Sequence, residues 1–171
     1  MKKCLLILIG LIFSMNIFSY SISFSGQLFT KRYEKCKLTS YWDGNGYTIG
    51  WGHHLLKGEN YRRISQAKAN ELFRKDIQKT NASINRLLKR FEGKVKFKQG
   101  FINGIGDLIY NCGEGGVMKS DFYKRLKSCR VRNGKMNSND FAYTVAGVKT
   151  CRISAPGHKD RRYAEHKLML G

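Results

Sequence analysis

The chain has 171 residues, with 32 Lys and Arg against 12 Asp and Glu, a net charge of +20. Roughly 147 residues lie beyond an apolar leading stretch, enough for one hydrophobic core and too few for two. The charge draws the protein to polyanions in general. A specific nucleic-acid function is set aside, because charge is its only support and no phosphate-activating constellation accompanies it.

Lys2 and Lys3 precede a mostly apolar run from Leu5 to about Phe18. That is the pattern of a secretory signal. Residues 1–22 are read as a signal peptide or signal anchor, with a cut near 20–25, and residues 23–171 as one domain. Losing Lys2 and Lys3 lowers the net charge to about +18. Cys4 sits in the basic head and no cysteine follows the run closely, which argues against a lipoprotein anchor. The protein is expected in the periplasm or outside the cell, or membrane-tethered if the segment is kept. Export makes anionic lipids and acidic wall polymers the reachable polyanions for nonspecific attraction. Cys36, Cys112, Cys129 and Cys151 are an even set in an exported chain, which favours disulfides without choosing a pairing. Their wide spacing, with no CxxC, is a poor match to zinc.

Residues 26–38 carry Leu28, Phe29, Tyr33 and Cys36 at helical spacing, with Glu34 near the end of the element. The next stretch, SYWDGNGYTIGWGHHL, reads as a tight hairpin turning at Asn45-Gly46. That turn would set Gly44 opposite Tyr47 and Asp43 opposite Thr48, on one face. Residues 65–90 predict a long helix capped by Ser65, with Leu72, Phe73, Ile77, Ile84, Leu87 and Leu88 in its apolar stripe. Residues 97–111 form a second apolar segment whose Gly100, Gly104 and Gly106 permit close packing. Gly113, Gly115 and Gly116 break the chain, and 119–128 reads as a short basic helix. Residues 133–140 read as a polar loop, 141–148 as helical or irregular, Pro156-Gly157 as a turn and 158–170 as a last helix. The fold class is α+β, mainly helical with a small sheet lobe near the start.

Glycosidic hydrolysis needs a proton donor and a second carboxylate that activates water or stabilises positive charge on the sugar. Glu34 and Asp43 are the only acids among the first 50 residues. Partial burial among Tyr33, Cys36 and Leu38 would keep Glu34 protonated, as a general acid requires. Asp43, among glycines, would stay wet and ionised, and Thr48 could hold a water beside it. Composition alone also allows a bland reading, in which Asp43 serves a turn and Glu34 pairs with a nearby Lys or Arg.

The segment from Glu34 through Asp43 and Thr48 to Ile49-Gly50-Trp51-Gly52-His53 strongly resembles the signature of the phage-type lysozymes, or endolysins, of glycoside hydrolase family 24. The eight residues between Glu34 and Asp43 fit that pattern. The four between Asp43 and Thr48 are one fewer than usual, and Lys35 stands where a Gly commonly follows the Glu. Residues 103–127 resemble the family's central helix, glycine turn and short helix. Gly157-His158-Lys159-Asp160-Arg161-Arg162-Tyr163-Ala164-Glu165 resembles its closing pattern. The resemblance implies a lysozyme-like fold with a groove between two lobes. It also implies hydrolysis of the β-1,4 bond between N-acetylmuramic acid and N-acetylglucosamine in peptidoglycan, by inversion and without metal or cofactor. Glu34 would be the acid, with Asp43 and Thr48 placing water. Arg161, then Arg162, is the candidate to support Glu34.

His53 is expected to line the groove or brace the hairpin, and adjacent His53 and His54 do not suit a shared metal. Trp42 and Trp51 are candidates to stack on sugar rings, with hairpin packing as the competing role, and Asn111 is a further substrate-binding candidate. Two other functions fit the same chain: a lytic transglycosylase leaving 1,6-anhydro ends, kept open by the shortened turn, and a cationic wall-binding or membrane-disrupting protein without catalysis. A monomer is expected.

Overall fold

In a computed structural model of the protein, residues 19–152 and 157–171 are described. The apolar run of the expected export segment, Cys4 and Pro156 of the expected turn lie outside them. Among the described residues no helix is long and apolar enough to cross a membrane.

Helix α1 (Phe24–Glu34) starts where the Ser23 hydroxyl accepts the Gly26 N–H, and Lys31 and Arg32 in its last turn suit the negative end of its dipole. It ends earlier than the spacing predicts. Lys35 turns into the left-handed region at φ 50°, and the chain leaves as a strand. Strands β1 (Lys37–Trp42), β2 (Tyr47–Gly50) and β3 (His53–His54) form an antiparallel sheet in that order.

The hairpin register differs from the expected one. Tyr41 pairs with Thr48 and Trp42 with Tyr47, so Asp43–Gly46 form a four-residue loop in place of a two-residue turn. The physical reason is Asp43 itself, whose carboxylate accepts the backbone N–H groups of Asn45 (2.9 Å) and Gly46 (3.1 Å). An Asp side chain closing its own turn competes successfully with the Asn-Gly backbone turn.

Helix α2 (Gln66–Leu88) begins at Ser65, whose hydroxyl accepts the Lys68 N–H, and buries Leu72, Phe73, Ile77, Ile84, Leu87 and Leu88. A short 3₁₀ turn follows at Lys89–Phe91. Helix α3 (Gln99–Met118) runs through the expected glycine break: only Gly113 leaves helical geometry (φ 70°, ψ 157°) and makes a kink. Helix α4 (Asp121–Ser128) is capped by Ser120. The stretch expected as a polar loop is a small hairpin, β4 (Val131–Arg132) and β5 (Lys135–Met136), turning at Asn133-Gly134, and then the first residues of α5 (Ser138–Ala146). Strands of two residues carry too little alternation to be visible in a sequence. A 3₁₀ turn at Gly147–Thr150 and helix α6 (His158–Leu170), entered through left-handed Gly157, complete the chain.

The main core gathers α2, α3, α4 and α5 around Phe101, Ile105, Leu108, Phe122 and Val145, and a smaller core of Ile49, Ile64, Ala69 and Leu72 lies under the sheet. Helices α3 and α6 pack closely because a Cβ at Gly100 would meet the Leu168 carbonyl oxygen at 2.5 Å and one at Gly104 the Met169 side chain at 2.4 Å. Tyr20 and Ile22 also belong to the packed domain, upstream of residue 23: Ile22 is buried in the main core and its N–H is bonded to Asn81.

The four cysteines of the domain stand as free thiols in this structure. Cys112 and Cys151 lie side by side in the core, 3.9 Å apart at sulfur, whereas Cys129 is bonded to Thr144 and Cys36 is half-exposed on the sheet side. Even cysteine number says nothing about distance, and among the described residues the fold sets Cys112 and Cys151 together.

Candidate active site

Glu34 is the last residue of α1, so its carboxyl projects at the junction of sheet and helices. Arg161 of α6, 127 positions along the chain, donates from Nη1 to Glu34 Oε1 at 2.7 Å. The same guanidinium grips Asp107 of α3 with two bonds, from Nε and Nη2, each 2.9 Å. One arginine thus holds two carboxylates, and its face lies over the Tyr33 ring. Glu34 is 16% exposed. Burial pushes its pKa up, Arg161 opposes this less strongly, and Asp107 adds to the rise. In contrast, Asp107 is fully buried, and burial is outweighed there by Arg161, which holds its pKa down. Glu34 is therefore the carboxyl of this pair that carries a proton most readily.

Gly52, between β2 and β3, makes room for that carboxyl. Its φ is +85°, and a Cβ there would meet Glu34 Oε2 at 2.6 Å. Both the backbone conformation and the space require glycine.

Asp43 reaches Thr48 although the register does not set them opposite each other. The Thr48 hydroxyl donates to Asp43 Oδ2 at 3.0 Å, so the tighter loop keeps the two in contact. Burial raises the Asp43 pKa, but the Asn45 N–H, the Thr48 hydroxyl, His54 and the Gly46 N–H together outweigh it and hold it below the ordinary carboxylate value. His54 completes this group: Nδ1 lies 3.2 Å from the Thr48 hydroxyl and Nε2 lies 3.4 Å from Asp43. A carboxyl with a raised pKa thus lies against Gly52, and one with a lowered pKa lies beside His54. These two residues continue with Tyr110 and Gly113 into a cleft of about 250 Å³.

The remaining candidates have other places. His53 is buried between Asp76 (2.6 Å) and Glu59 (2.9 Å), where it braces the sheet against α2. Arg162 is fully buried and points away from Glu34: it donates to the Asn111 side-chain oxygen at 2.6 Å and lies 3.0 Å from Glu165. The amide oxygen of Asn111 is thereby committed to an internal bond. Trp51 packs edge-on to Phe73, its indole N–H donates to Asn70, and its carbonyl accepts the Tyr110 hydroxyl. Trp42 faces solvent beside Tyr47, on the sheet face opposite to Thr48.

Three residues of the site were not singled out from the sequence. Asp107 had a signal, since a single acid within an apolar helical run must find a cation if that face is buried. His54 pairs with Thr48 across β2 and β3, and a strand of two residues gave no cue to that register. Glu165 is fully buried, its carboxyl 3.0 Å from the Arg162 guanidinium, and burial together with Asp107 pushes its pKa well up.

The geometry defines a two-lobed helical protein with a paired-carboxyl site at the junction of its lobes. The chain belongs to the phage lysozyme family, whose model matches residues 31–165. It is 31% identical over 149 residues to an endolysin of Bacillus phage B103, a match covering 86% of this chain and 50% of that protein. The chain thus spans about half the length of this relative. Among solved structures, the endolysin of Escherichia coli O157:H7 phage FAHEc1 superposes with a TM-score of 0.68 at 22% identity, over 90% of this chain and 96% of that one. A mutant of P22 lysozyme superposes with a TM-score of 0.65 at 23% identity, over 88% and 99%. At these identities the superpositions speak for the fold.

Proposed function

We propose that this protein is a muramidase that hydrolyses the β-1,4 bond between N-acetylmuramic acid and N-acetylglucosamine in bacterial peptidoglycan, outside the cytoplasm and by inversion. The observation that carries this reading is the separation of the two carboxyls by environment: Glu34 is buried and raised, whereas Asp43 is hydrogen-bonded and lowered. Two acids whose surroundings push them apart divide the roles of acid and base. Glu34 gives its proton to the leaving glycosidic oxygen. The resulting carboxylate is stabilised by Arg161, already 2.7 Å away. Asp43 and the Thr48 hydroxyl hold a water on the opposite face of the sugar, and Asp43 takes its proton as the water attacks the anomeric carbon. The glycosidic C–O bond breaks as the new one forms, so one water is consumed; Asp43 then releases its proton to solvent and Glu34 takes one back, which restores both groups.

The test is mass spectrometry of the glycan products released from purified peptidoglycan. The expected products carry hydrated, reducing muramic ends, with the inverted anomer formed first as followed by NMR, and they vanish with Glu34→Gln. Anhydro ends would make the protein a transglycosylase. Intact glycan on several wall types would make it a binding or membrane-active protein.

A further inference from the structure

The two tryptophans of the chain have opposite surroundings. Trp51 is locked between the lobes by its bond to Asn70. Trp42 is 63% exposed, and its cross-strand partner Tyr47 is 57% exposed. The two rings stand edge to face with centroids 5.5 Å apart, which fixes an aromatic platform at the end of the sheet. Strand alternation separates this platform from the site of bond cleavage. Tyr41 and Thr48 form the neighbouring cross-strand pair and project to the other face, where Thr48 bonds to Asp43.

The platform rims a groove of about 730 Å³, whose lining includes Tyr61, Asn60, Lys57 and Arg62. Glu59 also lines it, but its carboxylate is committed to His53 and to the Leu56 N–H. The groove therefore presents aromatic faces, an amide and two cations, Lys57 and Arg62, that form no ion pair among the described residues. Aromatic faces stack on the C–H faces of pyranose rings, amides bond to hydroxyls and acetamido groups, and cations meet carboxylates. Amino-sugar glycan carrying lactyl or peptide carboxylates offers all three.

We propose that the outer face of the β-lobe is a second glycan-binding surface, which holds an anionic N-acetylated amino-sugar strand without cutting it. It would keep the enzyme on insoluble wall between cleavage events. This inference rests on the muramidase reading for its ligand class, but it is tested separately from it.

The test uses ¹⁵N-labelled full-chain Glu34→Gln protein, which has only two indole N–H signals because the chain has two tryptophans. Soluble glycan fragments of peptidoglycan should shift the Trp42 indole. In the same background, Trp42→Ala, and separately Arg62→Ala, should lower retention on insoluble peptidoglycan by roughly tenfold, the loss of one good contact. An unmoved Trp51 indole signal in both variants would show that the lobes stay packed. A Trp42 signal unmoved by glycan would overturn the proposal. So would one moved only by phosphatidylglycerol vesicles, or one that tracks protein concentration through self-association. Wall cleavage by the unsubstituted protein is followed in parallel. Its absence with a responsive Trp42 would sink the muramidase reading alone, and cleavage with a silent Trp42 would sink the second surface alone.

Discussion

The two carboxyls of the site are built in opposite ways. Asp43 is prepared locally: its partners Asn45, Gly46, Thr48 and His54 all lie within eleven positions, in one small sheet. Glu34 is prepared by distant parts of the chain, through Gly52 of the sheet, Asp107 of α3 and Arg161 of α6. A lowered pKa needs only donors, which a turn supplies. A raised pKa needs exclusion of water, which requires two packed lobes. The proposed acid, Glu34, should therefore fail when the lobes are disturbed, and the proposed base, Asp43, should not.

The largest effect is expected from Glu34→Gln, which removes the proposed proton donor and keeps the shape. Hydrolysis of peptidoglycan should fall by about 10²–10⁴-fold, the usual range for a general acid, with folding retained by circular dichroism. Arg161→Ala should come next. It leaves fully buried Asp107 without its cation, and breaking such a pair costs about 3–5 kcal/mol, readable by urea unfolding. Arg161→Lys should rescue little, because one ammonium cannot make the two parallel bonds to Asp107 while reaching Glu34.

Gly52→Ala should lower activity by roughly 10²-fold, because the added methyl displaces the Glu34 carboxyl. The strained φ should also cost about 1 kcal/mol or more. A smaller change, visible only against pH, is expected from Asp107→Asn. The proposed mechanism requires Glu34 protonated and Asp43 ionised. Activity should therefore fall as pH rises through the raised Glu34 value and fall as pH drops through the lowered Asp43 value. Removing the Asp107 charge removes one cause of the Glu34 rise, so the alkaline limb of kcat/KM should move to lower pH while the acid limb stays. A shift of both limbs together would contradict the separate construction of the two carboxyls.

The smallest effect belongs to His53, which braces the sheet without touching either carboxyl. Hydrogen bonding to Asp76 raises its pKa against the opposing effect of burial, with Glu59 adding to the rise. Its stabilisation is fully present below the unfolded value near ~6.5. It is lost as pH rises through the higher folded value. Unfolding midpoints measured across that window should decline for the unsubstituted protein and lose this slope in His53→Asn.

Much of the architecture was legible because it is periodic or punctuated. Ser65 and the apolar stripe after it set α2, and Gly100 and Gly104 announced a close helix contact that α6 fills. The Glu34, Asp43 and Thr48 spacing marked the candidate site through its resemblance to the phage-type lysozyme signature, and the fold sets Thr48 against Asp43. The register itself was misread, because the Asn-Gly turn signal ignored the carboxylate of Asp43, which closes the loop instead. The strands of two residues, the free thiols, and the sharing of Arg161 between Glu34 and Asp107 depend on distances between segments far apart in the chain. Trp42 and Trp51 show the same limit: two similar residues in one aromatic stretch, one exposed and one locked between lobes. The chain by itself determines which residues can give or take a proton, through their chemistry and local spacing. Only the tertiary structure decides which carboxyl is raised and which is lowered, because packed lobes withhold water from one and not the other, and that packing is made by residues from opposite ends of the sequence.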